Sequence, residues 1–131
     1  MTVLLVTVAL FVFAVVGLQW WVRARARAML HKPLPKLPGA LGEKLRKAPS
    51  ALVYFMTPTC GACRAWTPRL TALGKKQPER VFVLDATSHL ELARALRIMA
   101  TPSFIELQAG NVVGYHVGQL PGEVLGRFAT A

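Results

Sequence analysis

The sequence predicts an α/β fold, a mixed central sheet with flanking helices, preceded by one N-terminal transmembrane helix. Three observations predict it. An uncharged run over residues 2–22 differs from everything behind it. Two short apolar runs of strand length then alternate with stretches of helical spacing, and a Thr-Pro pair at 101–102 leads into two further strands joined by a hairpin loop. At 131 residues the chain has room for one domain of about 100 residues with a core of its own.

The first segment carries the excess hydrophobicity. Composition is 53% hydrophobic and mean hydropathy is +0.40, yet all 16 Lys and Arg and all six Asp and Glu follow residue 22. A helix needs about 20 apolar residues to cross a hydrocarbon core of about 30 Å, and residues 2–22 meet that length. Trp20 and Trp21 close the run, as interfacial rings do, and Arg23, Arg25, Arg27, Lys32 and Lys36 follow where anionic headgroups lie. A cleaved secretory signal would instead carry its basic residues ahead of a shorter run and end on a small-residue site, which Ala24-Arg25-Ala26 does not supply. A helix apolar on every side would need a larger protein around it to be a core helix. The expected division is an anchor over 1–22, a basic, proline-rich linker over 23–39 and a domain over 40–131. Lys and Arg near a span favour the cytoplasmic side, so the charge rule puts the domain there.

A net charge of +10 and a pI near 10.7 raise the question of nucleic acid. The charge gathers behind the span, and Lys44, Arg46, Lys47, Lys75 and Lys76 fall at helical spacing without an arginine-rich arm or an RNA-reading aromatic motif. A lipid bilayer is the expected partner; nucleic acid is not.

Past Pro33, Pro35, Pro38 and Gly39, which favour an extended connector, residues 40–47 read as a short helix and 51–56 as a strand buried on both faces. After the break at Thr57-Pro58-Thr59, Cys60 is expected to open a helix to about Leu73, with Trp66, Leu70 and Leu73 on one face and a kink at Pro68. Residues 81–84 read as a second buried strand. Ser88-x-x-Glu91 is a capping-box pattern for a helix carrying Leu92, Ala95 and Leu96. Strands follow at 103–107 and 112–116 across Ala109-Gly110-Asn111, and a last helix starts around Pro121 with Val124, Leu125 and Phe128 at apolar spacing.

Cys60-Gly61-Ala62-Cys63 lies between a buried strand and a helix. Cysteines three apart on a helical turn can bring their α-carbons within the disulfide range of about 4.4–6.8 Å, so one bond can open and close locally. Backbone N–H groups at a helix start favour a thiolate, which makes Cys60 the expected nucleophile and Cys63 the expected resolving thiol. Two inert buried thiols are the bland alternative. Structural zinc needs four ligands, and His31, His89 and His116 offer no second pair of suitable spacing, so neither metal nor cofactor is expected.

With these residues in hand, positions from about 40 to 128 resemble the thioredoxin family. Cys60-Gly61-Ala62-Cys63 follows a buried strand, Pro68 looks like the family's kinking proline, and Asp85 closes the next strand. Thr101-Pro102 resembles the family's cis-proline site, and Gly118 resembles the glycine flanking its substrate groove. The resemblance implies a protein dithiol–disulfide oxidoreductase, with a cis Thr101-Pro102 bond facing the cysteines and the Thr101 backbone pairing with an extended substrate. Its expected partner is a protein thiol or disulfide near the membrane, and a monomer is expected. Many tethered relatives work outside the cytoplasm, against the charge rule. Three departures are visible: Ala62 replaces a proline, Thr59 replaces a tryptophan, and Tyr54 occupies the position of a buried acid that moves the resolving thiol's proton. Without the histidine of strongly oxidising relatives, a reductive or substrate-specific role is expected. The competing function is a binding module with a static disulfide and no turnover.

Overall fold

The computed structural model describes residues 1–28 and 30–130; Met29 of the expected linker and Ala131 of the expected domain lie outside them. In chain order the elements are α1 (Thr2–Arg27), α2 (Gly39–Lys47), β1 (Ser50–Met56), α3 (Thr67–Lys76), β2 (Val81–Asp85), α4 (Leu90–Ala95), β3 (Ser103–Gln108), β4 (Asn111–Val117) and α5 (Gly122–Ala129), with a 3₁₀ turn over Ala62–Arg64 before α3. The four strands form one mixed sheet in the order β2-β1-β3-β4. β1 pairs parallel with β2 and antiparallel with β3, and β3 pairs antiparallel with β4.

Alternation along each strand splits the core in two. Ala51, Val53 and Phe55 of β1 join Phe82, Leu84, Ile105 and Leu107 on the face covered by α2 and α4. Leu52 and Tyr54 point the other way, where Cys63, Leu70, Phe104, Val124 and Phe128 pack beneath α3 and α5. A strand buried on both faces has no polar side to show, which is why β1 reads as a continuous apolar run. A register shift between Glu106 and Leu107 opposite β4 lets Val112 and Tyr115, an odd number of residues apart, meet the same face of the core. The hairpin closes on two residues, Ala109 and Gly110, both at positive φ (50° and 80°), the turn geometry that follows the sheet's twist.

α1 is the one helix among the described residues long and apolar enough to span a membrane or serve as a signal sequence. Its qualifying stretch is 24 residues with mean hydropathy 2.5, none of it buried. The helix continues past the apolar run to Arg27, because nothing before that residue breaks it.

Within the stretch expected to be an extended linker, the chain is tied to the sheet. His31 N–H donates to Val112 C=O at 2.7 Å, Val112 N–H to Lys32 C=O at 3.1 Å and Leu34 N–H to Gly110 C=O at 2.9 Å, with an antiparallel bridge between Pro33 and Asn111. Leu34 and Leu37 are buried in the core. The segment shields part of the outer edge of β4, whose backbone groups are otherwise open to further pairing. Gly42 is needed for this contact: a Cβ there would lie 2.8 Å from the Leu37 carbonyl carbon.

Two helix starts differ from expectation. The helix expected to open at Cys60 is divided, with i to i+3 bonds over the 3₁₀ turn (Arg64 N–H to Gly61 C=O, Trp66 N–H to Cys63 C=O) and α3 beginning only at Thr67. Pro68 is the cause. It has no N–H for the Arg64 carbonyl and its ring crowds that carbonyl, so it opens α3 in the first turn rather than kinking a longer helix. The Ser88 capping box does not form: the residue ahead of α4 is His89, with no side-chain cap. Asp85 organises the connection instead, accepting from the Thr87 N–H and hydroxyl through Oδ1 and from the Ser88 and His89 N–H groups through its carbonyl.

Candidate active site

β1 runs from the core to one edge of the sheet, and the loop behind it delivers Cys60 and Cys63 to that edge. The two are joined in a disulfide with their α-carbons 5.3 Å apart. Their environments differ. Cys63 is 2% exposed, packed with Tyr54, Leu70 and Phe104, whereas Cys60 is half-buried at the margin of the same cluster. The Cys63 N–H donates to Cys60 Sγ at 3.2 Å. The sulfur that receives a fixed donor is the one whose anion is favoured on reduction.

The register Phe55 to Ser103 brings the turn ahead of β3 to the same edge. The Thr101-Pro102 bond is cis, as the resemblance implied. Pro102 is fully buried, and its carbonyl accepts from the N–H of Gly118 at 2.8 Å. Gly118 has φ +84° with open space where a Cβ would lie, so a glycine closes this turn without strain. Among the described residues the Thr101 backbone has no hydrogen-bond partner in the fold. Two residues beyond Pro102, Phe104 stacks on Tyr54 (centroids 5.1 Å, planes at 21°) and meets Trp66 edge-on at 5.1 Å.

Tyr54, at the position of the expected buried acid, shares a 2.9 Å hydrogen bond with the Thr67 hydroxyl and directs its own hydroxyl at the Cys63 carbonyl, 3.4 Å away. Burial raises its pKa above the ordinary phenol value, against the opposing pull of Thr67. The site therefore holds a neutral hydroxyl pair behind Cys63 where a carboxylate was the alternative. Thr67 was missed in the sequence; its only signal was a hydroxyl residue directly before a proline on the face that also carries Leu70. The histidines fall elsewhere: His116 Nε2 contacts Glu106 at 3.0 Å, and Arg127 reaches the other oxygen of that buried carboxylate at 2.8 Å.

The chain's two tyrosines give a measurable consequence. Burial pushes Tyr115 up to about 12, and Tyr54 moves in the same direction. A phenol raised by folding contributes stability that is complete below the unfolded pKa of about 10 and is lost as pH rises through the folded value. Near pH 10.5, roughly, where free phenols are mostly ionised, Tyr115 is expected to remain protonated in the native protein, so tyrosinate absorbance at 295 nm should rise when the chain unfolds. A native titration of Tyr115 centred near 10 would contradict this.

The thioredoxin family model matches residues 39–131. A thioredoxin H-type of Fagopyrum esculentum is 33% identical over 92 residues, 66% of this chain and 79% of its own length. The thioredoxin of Bacillus subtilis (strain 168) is 30% identical over 76 residues, 56% of this chain and 73% of its own. The crystal structure of the reduced Schistosoma mansoni thioredoxin pre-protein has a TM-score of 0.57 at 31% identity, covering 72% of this chain and 92% of that one. A fold and a cysteine pair of this kind define a protein dithiol–disulfide oxidoreductase, with Cys60 and Cys63 fitting the CxxC active site. The chain belongs to the thioredoxin family.

Proposed function

We propose that the chain is a membrane-tethered thiol–disulfide exchanger in which Cys60 attacks, Cys63 resolves, and the edge formed by Thr101, Pro102 and Gly118 holds an extended protein segment. The observation that carries the reading is the asymmetry of the pair: a donor aimed at Cys60 Sγ and a Cys63 sealed beneath the sheet edge. In the reducing direction the Cys60 thiolate attacks one sulfur of a substrate disulfide. A Cys60–substrate bond forms and the departing thiolate takes a proton from solvent. The Cys63 thiol then gives up its proton and attacks Cys60 Sγ, the second substrate sulfur leaves, and the Cys60–Cys63 disulfide remains. Tyr54 stays protonated at neutral pH, so water or the departing thiolate receives the Cys63 proton. This favours a slower, substrate-specific exchange over broad reduction.

The tether is read from residues 2–22, their terminal tryptophans and the arginines behind them, and it raises the local concentration of partners in the same bilayer. The charge rule assigns the domain to the cytoplasmic side; digestion of the domain from outside intact cells would reverse that assignment. Turnover tests the function. The full chain in vesicles, supplied with an external dithiol, is expected to reduce a disulfide-linked reporter peptide catalytically. A single stoichiometric exchange, or none, would make the disulfide static and the chain a binding module.

A further inference from the structure

A cavity of about 480 Å³ opens where the end of α1 meets the domain, lined among others by Val22, Arg25, Arg94, Arg97, Met99 and Tyr115. Its walls are apolar with arginines among them, and no acidic side chain lines it. Among the described residues none of the three guanidinium groups is in an ion pair; Arg25 lies over the Trp21 ring at 4.2 Å. The domain holds its side of the cavity firmly. Tyr115 donates to the carbonyls of Leu96 and Arg97 at 3.3 and 2.9 Å, and the Ile98 N–H bonds back to Ala93 C=O at 2.8 Å. Arg97 itself sits at φ +56°, at a helix end where glycine or asparagine is usual.

We propose that this cavity binds the headgroup of an acidic phospholipid from the bilayer that α1 crosses, an inference that rests on the transmembrane reading of α1. Three guanidinium groups without carboxylate partners match a phosphodiester in charge and geometry. Val22 and the apolar turns before it continue from the cavity in the direction the acyl chains must take, and Trp20 and Trp21 set its depth at the interface. A free phosphate offers the same charge but nothing for the apolar wall. Because Met99 and Ala100 line the cavity and lead directly into Thr101-Pro102, the bound lipid orients the substrate edge relative to the membrane.

The test uses the full chain in phosphatidylcholine vesicles with and without phosphatidylglycerol. Flotation after an alkaline wash reports the tether alone, and native mass spectrometry after transfer to detergent counts retained lipid. Phosphatidylglycerol is expected to be retained over phosphatidylcholine. Arg94→Ala with Arg97→Asn, the asparagine tolerating positive φ, is expected to lower that retention about tenfold or more, from roughly fivefold per arginine near an anionic surface. If the double variant melts below the parent, Arg94→Ala alone is expected to show about the fivefold loss. A chain that does not float overturns the tether and the lipid site with it. A chain that floats but retains both lipids equally, or whose variant retains phosphatidylglycerol unchanged, overturns the lipid site alone. Displacement of the lipid by inorganic phosphate would assign the arginines to a free anion and likewise overturn the proposal.

Discussion

Replacing Cys63 with serine is expected to leave a protein that attacks disulfides and cannot let them go. The α-carbons of the pair are 5.3 Å apart, so the second attack is intramolecular, and well-oriented intramolecular reactions reach effective concentrations of about 10⁵ M or more. An external thiol at millimolar concentration cannot replace that. Even after a large discount for imperfect geometry, release of the mixed disulfide should slow by at least about a thousandfold. Mixed disulfides should then accumulate on Cys60 and appear as a mass shift on non-reducing electrophoresis. Cys60→Ser should accumulate none, because the remaining thiol is 2% exposed. Trapping by Cys60→Ser with none by Cys63→Ser would invert the roles.

The largest effect on stability is expected at Phe104. Its ring is fully buried, stacked on Tyr54 and edge-on to Trp66, and it belongs to the cluster that closes over Cys63. Truncation to alanine removes the ring and leaves a cavity between a rigid sheet and α3, at a cost of about 3–5 kcal/mol. That is a large share of the roughly 5–15 kcal/mol that holds a domain together. In a domain of this size Tm should fall by more than about 12 °C. Function should change in the same variant, since a loosened cluster exposes Cys63 and narrows the difference in reactivity between the two thiols. Phe104→Leu, which fills more of the space, should lose less on both counts. A fall below about 1 kcal/mol, at the level of an ordinary surface substitution, would mean that the cluster does not support the site.

Much of this site was legible from the order of residues. β1 and β2 are apolar runs because both faces are covered, and the cysteines follow β1 directly, so counting along the chain located the cysteine pair; the cis Thr101-Pro102 bond and Gly118 were singled out only through the resemblance to the thioredoxin family. The parts that escaped depend on contacts between distant segments. Leu34 and Leu37 alternate with three prolines, a composition that reads as an extended connector; the segment's pairing with the open edge of β4 and its packing on Gly42 of α2 are contacts between distant segments. Tyr54 was found by position, but its partnership with Thr67 spans 13 residues and places the tyrosine against the first residue of α3. Ser88 matched a capping pattern that Asp85 pre-empted by binding the same turn from the end of β2.

The central claim is that Cys60 and Cys63 are chemically unequal, with Cys60 the reactive thiol. Alkylation of the fully reduced chain at mildly acidic pH, quenched over time and located by peptide mass spectrometry, tests it most directly. Modification at Cys60 is expected to be complete before Cys63 reacts, because only Cys60 combines access with a backbone donor at its sulfur. Equal rates at the two positions, or faster modification of Cys63, would contradict the account.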